Sequence, residues 1–184
     1  MNSDIPQSVQ AQRDLTSDHI DGWLNHVLQP SWWVLVGLIV VCIAVWLILL
    51  DKKRLRETLL FAAIFSIIGL GMAEYGEELI LWDYPVDLIA IFPPLTSINL
   101  LLMSLSYSLA YQYCKTSWVF FAAVLGITAV LCFGVEPLLS AGNLYELLNW
   151  RHWWSFPFYS VAALTVRMMT IKIFRIEEQA RQRR

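Results

Sequence analysis

Polar and apolar positions fall in long blocks along this chain. Residues 1–16 are polar. Ile20, Trp23, Leu24, Val27 and Leu28 then recur at i, i+3, i+4, i+7 and i+8, which is one face of a short helix. The spacing predicts a helix over 18–29, capped by Ser17 or Asp18 and ended by Pro30. His19, Asp21, Asn25 and His26 lie off the apolar stripe. The helix is therefore expected to lie on a membrane surface with a solvated polar face. The two histidines are otherwise part of a metal or pH-sensing site.

Five apolar segments follow, at about 32–50, 57–81, 94–113, 118–135 and 153–174. Each is long enough to cross about 30 Å of hydrocarbon at about 1.5 Å per residue. In the second, Ala62, Ser66, Gly69, Ala73 and Gly76 are spaced by four and three. Such a stripe of small residues lets helices approach closely in lipid. It is expected to be a packing seam and a possible contact for another copy or another subunit. In the third, Pro93-Pro94 either kinks a helix that begins near Asp87 or lies at the start of one. The second reading is favoured, because a missing N–H costs little in a first turn. Val86 to Phe92 then becomes a non-helical entry covered by protein or water. Ser97, Ser104, Ser108 and Tyr111 share a face of this helix, as interhelical hydrogen bonding or a lined cavity requires. Glu136-Pro137 is expected to end the fourth helix, and Pro157 offers a place for a bend in the fifth.

Composition agrees with these blocks. The chain of 184 residues is 58% apolar and only 15% charged, against about 25% charged in soluble domains. Its mean hydropathy is +0.55. An ordinary soluble domain is excluded. The net charge of −2 says little, because the charges are segregated. Of 13 Lys and Arg, those at 52, 53, 54, 56, 115, 172, 175, 181, 183 and 184 all fall on one predicted side. That bias places those loops in the cytoplasm. The expected fold is an all-α polytopic bundle of five transmembrane helices, N-terminus outside and C-terminus in the cytoplasm. Residues 1–30 form a polar outer segment, 31–175 the membrane domain and 176–184 a basic tail. No basic n-region or small-residue cleavage site accompanies the first span, so no cleaved signal peptide is expected.

The candidate chemistry is concentrated on the predicted outer face. Glu74, Glu77, Glu78, Asp83, Asp87, Glu136 and Glu146 collect there, with Arg151 and His152 opposite. Carboxylates at the ends of adjacent helices can bind a cation or carry protons. Arg167 lies 14 residues after Trp153, about 21 Å along its helix. It either snorkels to the inner surface or pairs with a polar group of the bundle. The candidate ligand- or ion-binding residues are Glu74, Glu78, Asn99, Glu136, Tyr107, Arg151 and Arg167. Cys42, Cys114 and Cys132 have no metal or disulfide spacing and read as packing residues. HExxH, GxSxG, GxxxxGK[ST] and CxxC motifs are all missing. No catalytic residue, metal or cofactor is assigned, and no nucleic-acid partner is expected.

One set of residues carries a resemblance. Trp82-x-Tyr84-Pro85, Asn99, Tyr107, Tyr111-Gln112-Tyr113, Glu136-Pro137, Tyr145, Asn149-Trp150 and Ser155-Phe156-x-x-Tyr159 resemble a family of small multi-pass membrane proteins found mainly in spore-forming bacteria. The resemblance covers about residues 57–175. It implies a bacterial cytoplasmic membrane and this topology, and it implies no reaction. Three functions remain open: a ligand or ion site near the outer leaflet, a membrane-embedded enzyme acting on a lipid or isoprenoid, and a structural or assembly subunit.

Overall fold

The computed structural model describes residues 6–86, 88–89 and 98–183, with the side chains of Ser8, Gln12, His19, His26, Ile98 and Asn99 left out of that description. The readings that rest on Asp87, Pro93-Pro94, Ser97 and the Asn99, His19 and His26 side chains lie outside the described residues.

Six helices account for most of the described chain: α1 Gln7–His26, α2 Pro30–Leu49, α3 Leu55–Glu78, α4 Ile98–Tyr113, α5 Ser117–Ala141 and α6 His152–Gln182. Three are long and apolar enough to cross a bilayer: α2, α3 with the 3-10 turn that precedes it, and α5. α1 begins well before the predicted 18, directly after Pro6. Gln, Ala and Arg are good helix formers, and they extend the helix through a segment that has no apolar stripe to announce it. Pro30 occupies the first turn of α2, where its missing N–H is harmless. It therefore starts a helix as well as following one.

α3 stops at Glu78, short of the expected 81, because its C-terminus is closed by a Schellman turn. Leu81 N–H donates to Gly76 O at 2.8 Å and Ile80 N–H to Glu77 O at 2.9 Å. Ile80 takes a left-handed φ of 54° there. α5 runs past Glu136-Pro137, which was expected to end it. Leu131–Val135 form a π turn, in which Glu136 N–H reaches back to Leu131 O. Widening the turn accommodates a residue that can neither donate to the ladder nor fit a tight one. α5 then ends at Gly142-Asn143 in a second Schellman turn, closed by Leu144 N–H to Leu139 O at 2.9 Å. α6 continues unbroken through Pro157 and through most of the basic tail.

α3, α4, α5 and α6 form a ring, with α3 and α5 each touching both α4 and α6, and α2 packs on α4 from outside. The ring encloses Phe61, Phe65, Met103, Tyr107, Tyr111, Phe120, Val124 and Val166. Phe61 stacks on Tyr111 at 4.9 Å and Phe65 lies 5.1 Å from Tyr107. Three polar groups of α4 bond neighbouring helices. Ser104 bonds Ser66 of α3 at 2.8 Å, Ser108 accepts from Trp46 of α2 at 2.9 Å, and Tyr107 meets Thr128 of α5 at 2.7 Å. In α2 only Leu35 and Trp46 are buried.

The small-residue stripe of α3 is used within the chain. A Cβ on Gly69 would stand 2.3 Å from Leu100 Cδ1, and one on Gly76 would stand 1.9 Å from Trp82 Cζ2. Ser66 bonds α4 and Ala73 is buried. The packing seam expected of Ala62, Ser66, Gly69, Ala73 and Gly76 is formed within the chain at four of the five, while Ala62 is half-buried.

The bundle has two chemically distinct ends. At one, Arg56 pairs with Glu177 at 2.7 Å, Arg54 donates to Gln112 O, and Arg167 donates to Lys115 O at 3.3 Å. Those contacts gather the 52–56 turn, the α4–α5 turn and the end of α6 into one basic end. Gln112 ties it together, accepting from Asp51 N–H and donating to Leu49 O, both at 2.9 Å. At the other end, β1 Trp82–Asp83 pairs antiparallel with β2 Glu146–Leu147. The strand that follows α3 thus pairs with the α5–α6 loop about sixty residues on. Leu81 O accepts from Leu148 N–H and Asn149 N–H at 3.0 Å, and Asn149 Nδ2 donates to Ile80 O at 2.9 Å.

Candidate functional site

The end that carries β1 and β2 holds a buried carboxylate. Glu136 follows the π turn of α5 and is 0% exposed. Its Oε2 lies 3.0 Å from Nδ1 of His152, the first residue of α6. The His152 side chain is 34% exposed. The pair therefore links a carboxylate in the interior to an imidazole at the surface. A buried ionised carboxylate is costly unless it is paired, and the α5–α6 loop brings its partner to it.

Aromatic side chains gather around Glu136 and at this end of the bundle. Tyr107, Tyr145 and Tyr159 all lie in the field of Glu136. Burial holds the Tyr145 phenol far above its usual range, with Tyr84 and Glu136 adding to the effect, so it stays a neutral hydrogen-bonding group. Tyr84 and Tyr145 are 5.3 Å apart. Trp150 lies edge-on to Trp82 at 5.5 Å and to Trp154 at 5.2 Å, and its Nε1 donates to buried Ser155 at 2.9 Å. Cys132 sits one turn before Glu136 and is fully buried.

Beside the aromatic group lies a small apolar cavity of about 50 Å³, lined by Phe65, Gly69, Trp82, Tyr84, Met103 and Tyr159 among others. The buried Trp82 Nε1 on its wall has no hydrogen-bond acceptor among the described residues. The cavity shares Ile68, Met72, Phe158 and Ala162 with an open apolar groove of about 480 Å³ between α3 and α6. No group of three or more His, Cys, Asp or Glu side chains able to hold a metal occurs among the described residues.

The sequence candidates separate in space. Glu136 and Tyr107 are buried close to one another. Glu74 and Glu78, on the last turns of α3, are exposed, as is Arg151. Asn99 is the second residue of α4, and its side chain is outside the description. Arg167 is at the opposite end of the bundle, hydrogen-bonded to the Lys115 carbonyl and 4.4 Å over the Phe120 ring. It cannot be a counter-charge for Glu136. Reasoning from sequence set His152 opposite the group of outer acids without pairing it to Glu136, and did not name Tyr145, Tyr159 and Trp82 as site residues. Periodicity could not find them, because they come from three different elements, β1, the α5–α6 loop and α6. The available signal for Trp82, Tyr145 and Tyr159 was their shared membership, with Glu136, of the Trp82-x-Tyr84, Glu136-Pro137, Tyr145 and Ser155-x-x-x-Tyr159 set, from which His152 is absent.

No family model, curated protein or solved structure matches the chain.

Proposed function

We propose that this chain is a five-span integral membrane protein that binds a small ligand or ion at the Glu136 site, near the outer leaflet of a bacterial cytoplasmic membrane. The observation that carries the site is the complete burial of Glu136 against a partly exposed His152. Ionisable groups deep in such a bundle are retained at a cost, and by default they mark a functional site. The carboxylate and the rings of Tyr107, Tyr145 and Tyr159 form a chemistry suited to a proton or a small cation. The spans are supported by exposed Val40, Val41, Leu47 and Ile48 on α2 and by comparable residues on α3 and α5, a surface that water would not tolerate. The bacterial membrane rests on the family resemblance alone.

The test is thermal unfolding of the full chain in detergent, with potassium, small amines and tetraphenylphosphonium as probes. At least one probe should raise the midpoint of the wild type and of Glu74→Gln, and fail to raise that of Glu136→Gln. Loss of one charge-assisted contact should weaken binding about tenfold or more. An equal response in all three proteins would overturn the assignment.

A second reading has an observation of its own. The apolar groove between α3 and α6 opens sideways beside the cavity at Trp82. A lipid or isoprenoid chain entering there would approach the Glu136–His152 pair, which could act as acid and base on it. Turnover of a radiolabelled polyisoprenoid phosphate by membranes carrying the protein, lost in His152→Ala, is the result that would favour this reading.

A further inference from the structure

At the basic end of the bundle, Arg167 is 8% exposed, yet its guanidinium is poorly satisfied. Nη2 donates to Lys115 O at 3.3 Å, and Nη1 has no hydrogen-bond partner among the described residues. The ring face of Phe120, 4.4 Å away, supplies some attraction. None of the described salt bridges includes Arg167. The neighbouring arginines differ from it, since Arg54 is paired with Glu57 at 2.7 Å, and Arg56 and Arg181 share Glu177 at 2.7 and 2.8 Å. A buried, unpaired cation is expensive unless something anionic reaches it.

Arg167 lines a cavity of about 330 Å³ whose wall carries four cationic side chains, Arg54, Lys115, Arg167 and Arg175, against two carboxylates, Glu57 and Glu178. One of those carboxylates, Glu57, is already occupied by Arg54. Ile171 and Phe174 give the same cavity an apolar flank. An opening that is cationic at its head and apolar at its side matches the boundary between headgroup and acyl chain. Basic pockets between helices on the cytoplasmic side of a membrane commonly take phosphorylated headgroups.

We infer that this cavity binds the phosphate of an anionic phospholipid of the inner leaflet, with Arg167 as its buried anchor and Lys115 and Arg175 at its mouth. The planar fork of an arginine suits phosphate oxygens better than a lysine does. The inference depends on the helices crossing a bilayer and is independent of the Glu136 site.

The test uses the full chain in zwitterionic nanodiscs and in nanodiscs containing phosphatidic acid, with native mass spectrometry counting retained lipid. Selective retention of phosphatidic acid is expected, weakened about tenfold in Arg167→Gln and severalfold in Lys115→Ala and Arg175→Ala. Glu136→Gln should retain the lipid as the wild type does, so failure of one site is distinguishable from failure of the other. If Arg167→Gln does not fold, the two exposed positions decide the matter. Inorganic phosphate or glycerol phosphate is added as a competitor. If either displaces the lipid at millimolar concentration, phosphate recognition holds and extends to a soluble source. Equal retention of both lipid types by the wild type, or unchanged selectivity in all three variants of the pocket, would overturn the inference.

Discussion

Ile80 occupies a backbone position that a β-branched residue rarely takes. Its φ of 54° is set by the Schellman turn that ends α3, and a left-handed conformation costs an L-residue roughly 1–2 kcal/mol. Glycine avoids that strain but loses about 0.5–1 kcal/mol of chain entropy. Ile80→Gly should therefore raise stability by about 0.5–1 kcal/mol, read as a higher thermal midpoint in detergent, while Ile80→Val leaves it unchanged. Gly76, which starts the same turn, is constrained differently. Its missing Cβ is the space filled by the Trp82 ring. Gly76→Ala displaces a packed indole and should cost about 1–3 kcal/mol, the usual penalty of overpacking. A wild-type midpoint for Gly76→Ala would mean that Trp82 does not rest there. The stripe of small residues was legible in the sequence because its spacing is regular, whereas what fills the space was not. Trp82 comes from the loop after α3 and is held there by pairing with residues 146–147, a contact with no local periodicity.

At the scale of elements, legibility depended on what a boundary is made of. The beginnings and ends of apolar blocks tracked α2 and the start of α5 closely, since lipid-facing residues write themselves into hydropathy. Ends set by backbone geometry were misplaced. The proline at 137 reads as a stop, and only the π turn before it explains why α5 continues to Ala141. The same turn aims Glu136 inward, so the part of the candidate site that mattered most rested on the least legible element. α2 gives a direct test of which contacts hold the periphery. It is anchored on α4 through Trp46, whose Nε1 bonds Ser108, while Ile48 is 81% exposed. Trp46→Ala should cost about 3–5 kcal/mol, and Ile48→Ala should stay within about 0.5 kcal/mol of wild type. The end of α6 is held by charge. Arg56 donates to Glu177 and keeps that carboxyl below its ordinary value, with Arg181 assisting. A carboxyl that is more acidic when folded stabilises the contact above the unfolded value, about 4.3, and the gain is lost as pH falls through the lower folded one. Amide protection over residues 175–182 should therefore drop, relative to the rest of α6, in acid and in about 1 M salt. Protection that is insensitive to both would mean that packing against Phe174 holds the helix end.

For the whole molecule, the arrangement of charge makes a topological prediction that needs no knowledge of a ligand. Ion pairs and hydrogen bonds collect the 52–56 turn, Lys115 and the end of α6 at one end, and strand pairing collects residues 82–83 and 146–147 at the other. Lys and Arg in short loops are retained in the cytoplasm, which predicts that the first of these ends faces inward. An orientation fixed by five crossings puts the two termini on opposite sides. Three crossings by α2, α3 and α5 alone would also do so, but they would leave α4 and α6 without a consistent place, because both stand in the ring beside α3 and α5. Single cysteines placed in a background lacking Cys42, Cys114 and Cys132 separate these cases. Arg13→Cys and Glu146→Cys should react with a membrane-impermeant maleimide in intact cells. Lys53→Cys, Lys115→Cys and Arg183→Cys should react only after permeabilisation. Labelling of positions 53 and 146 from the same side would refute the five-span reading.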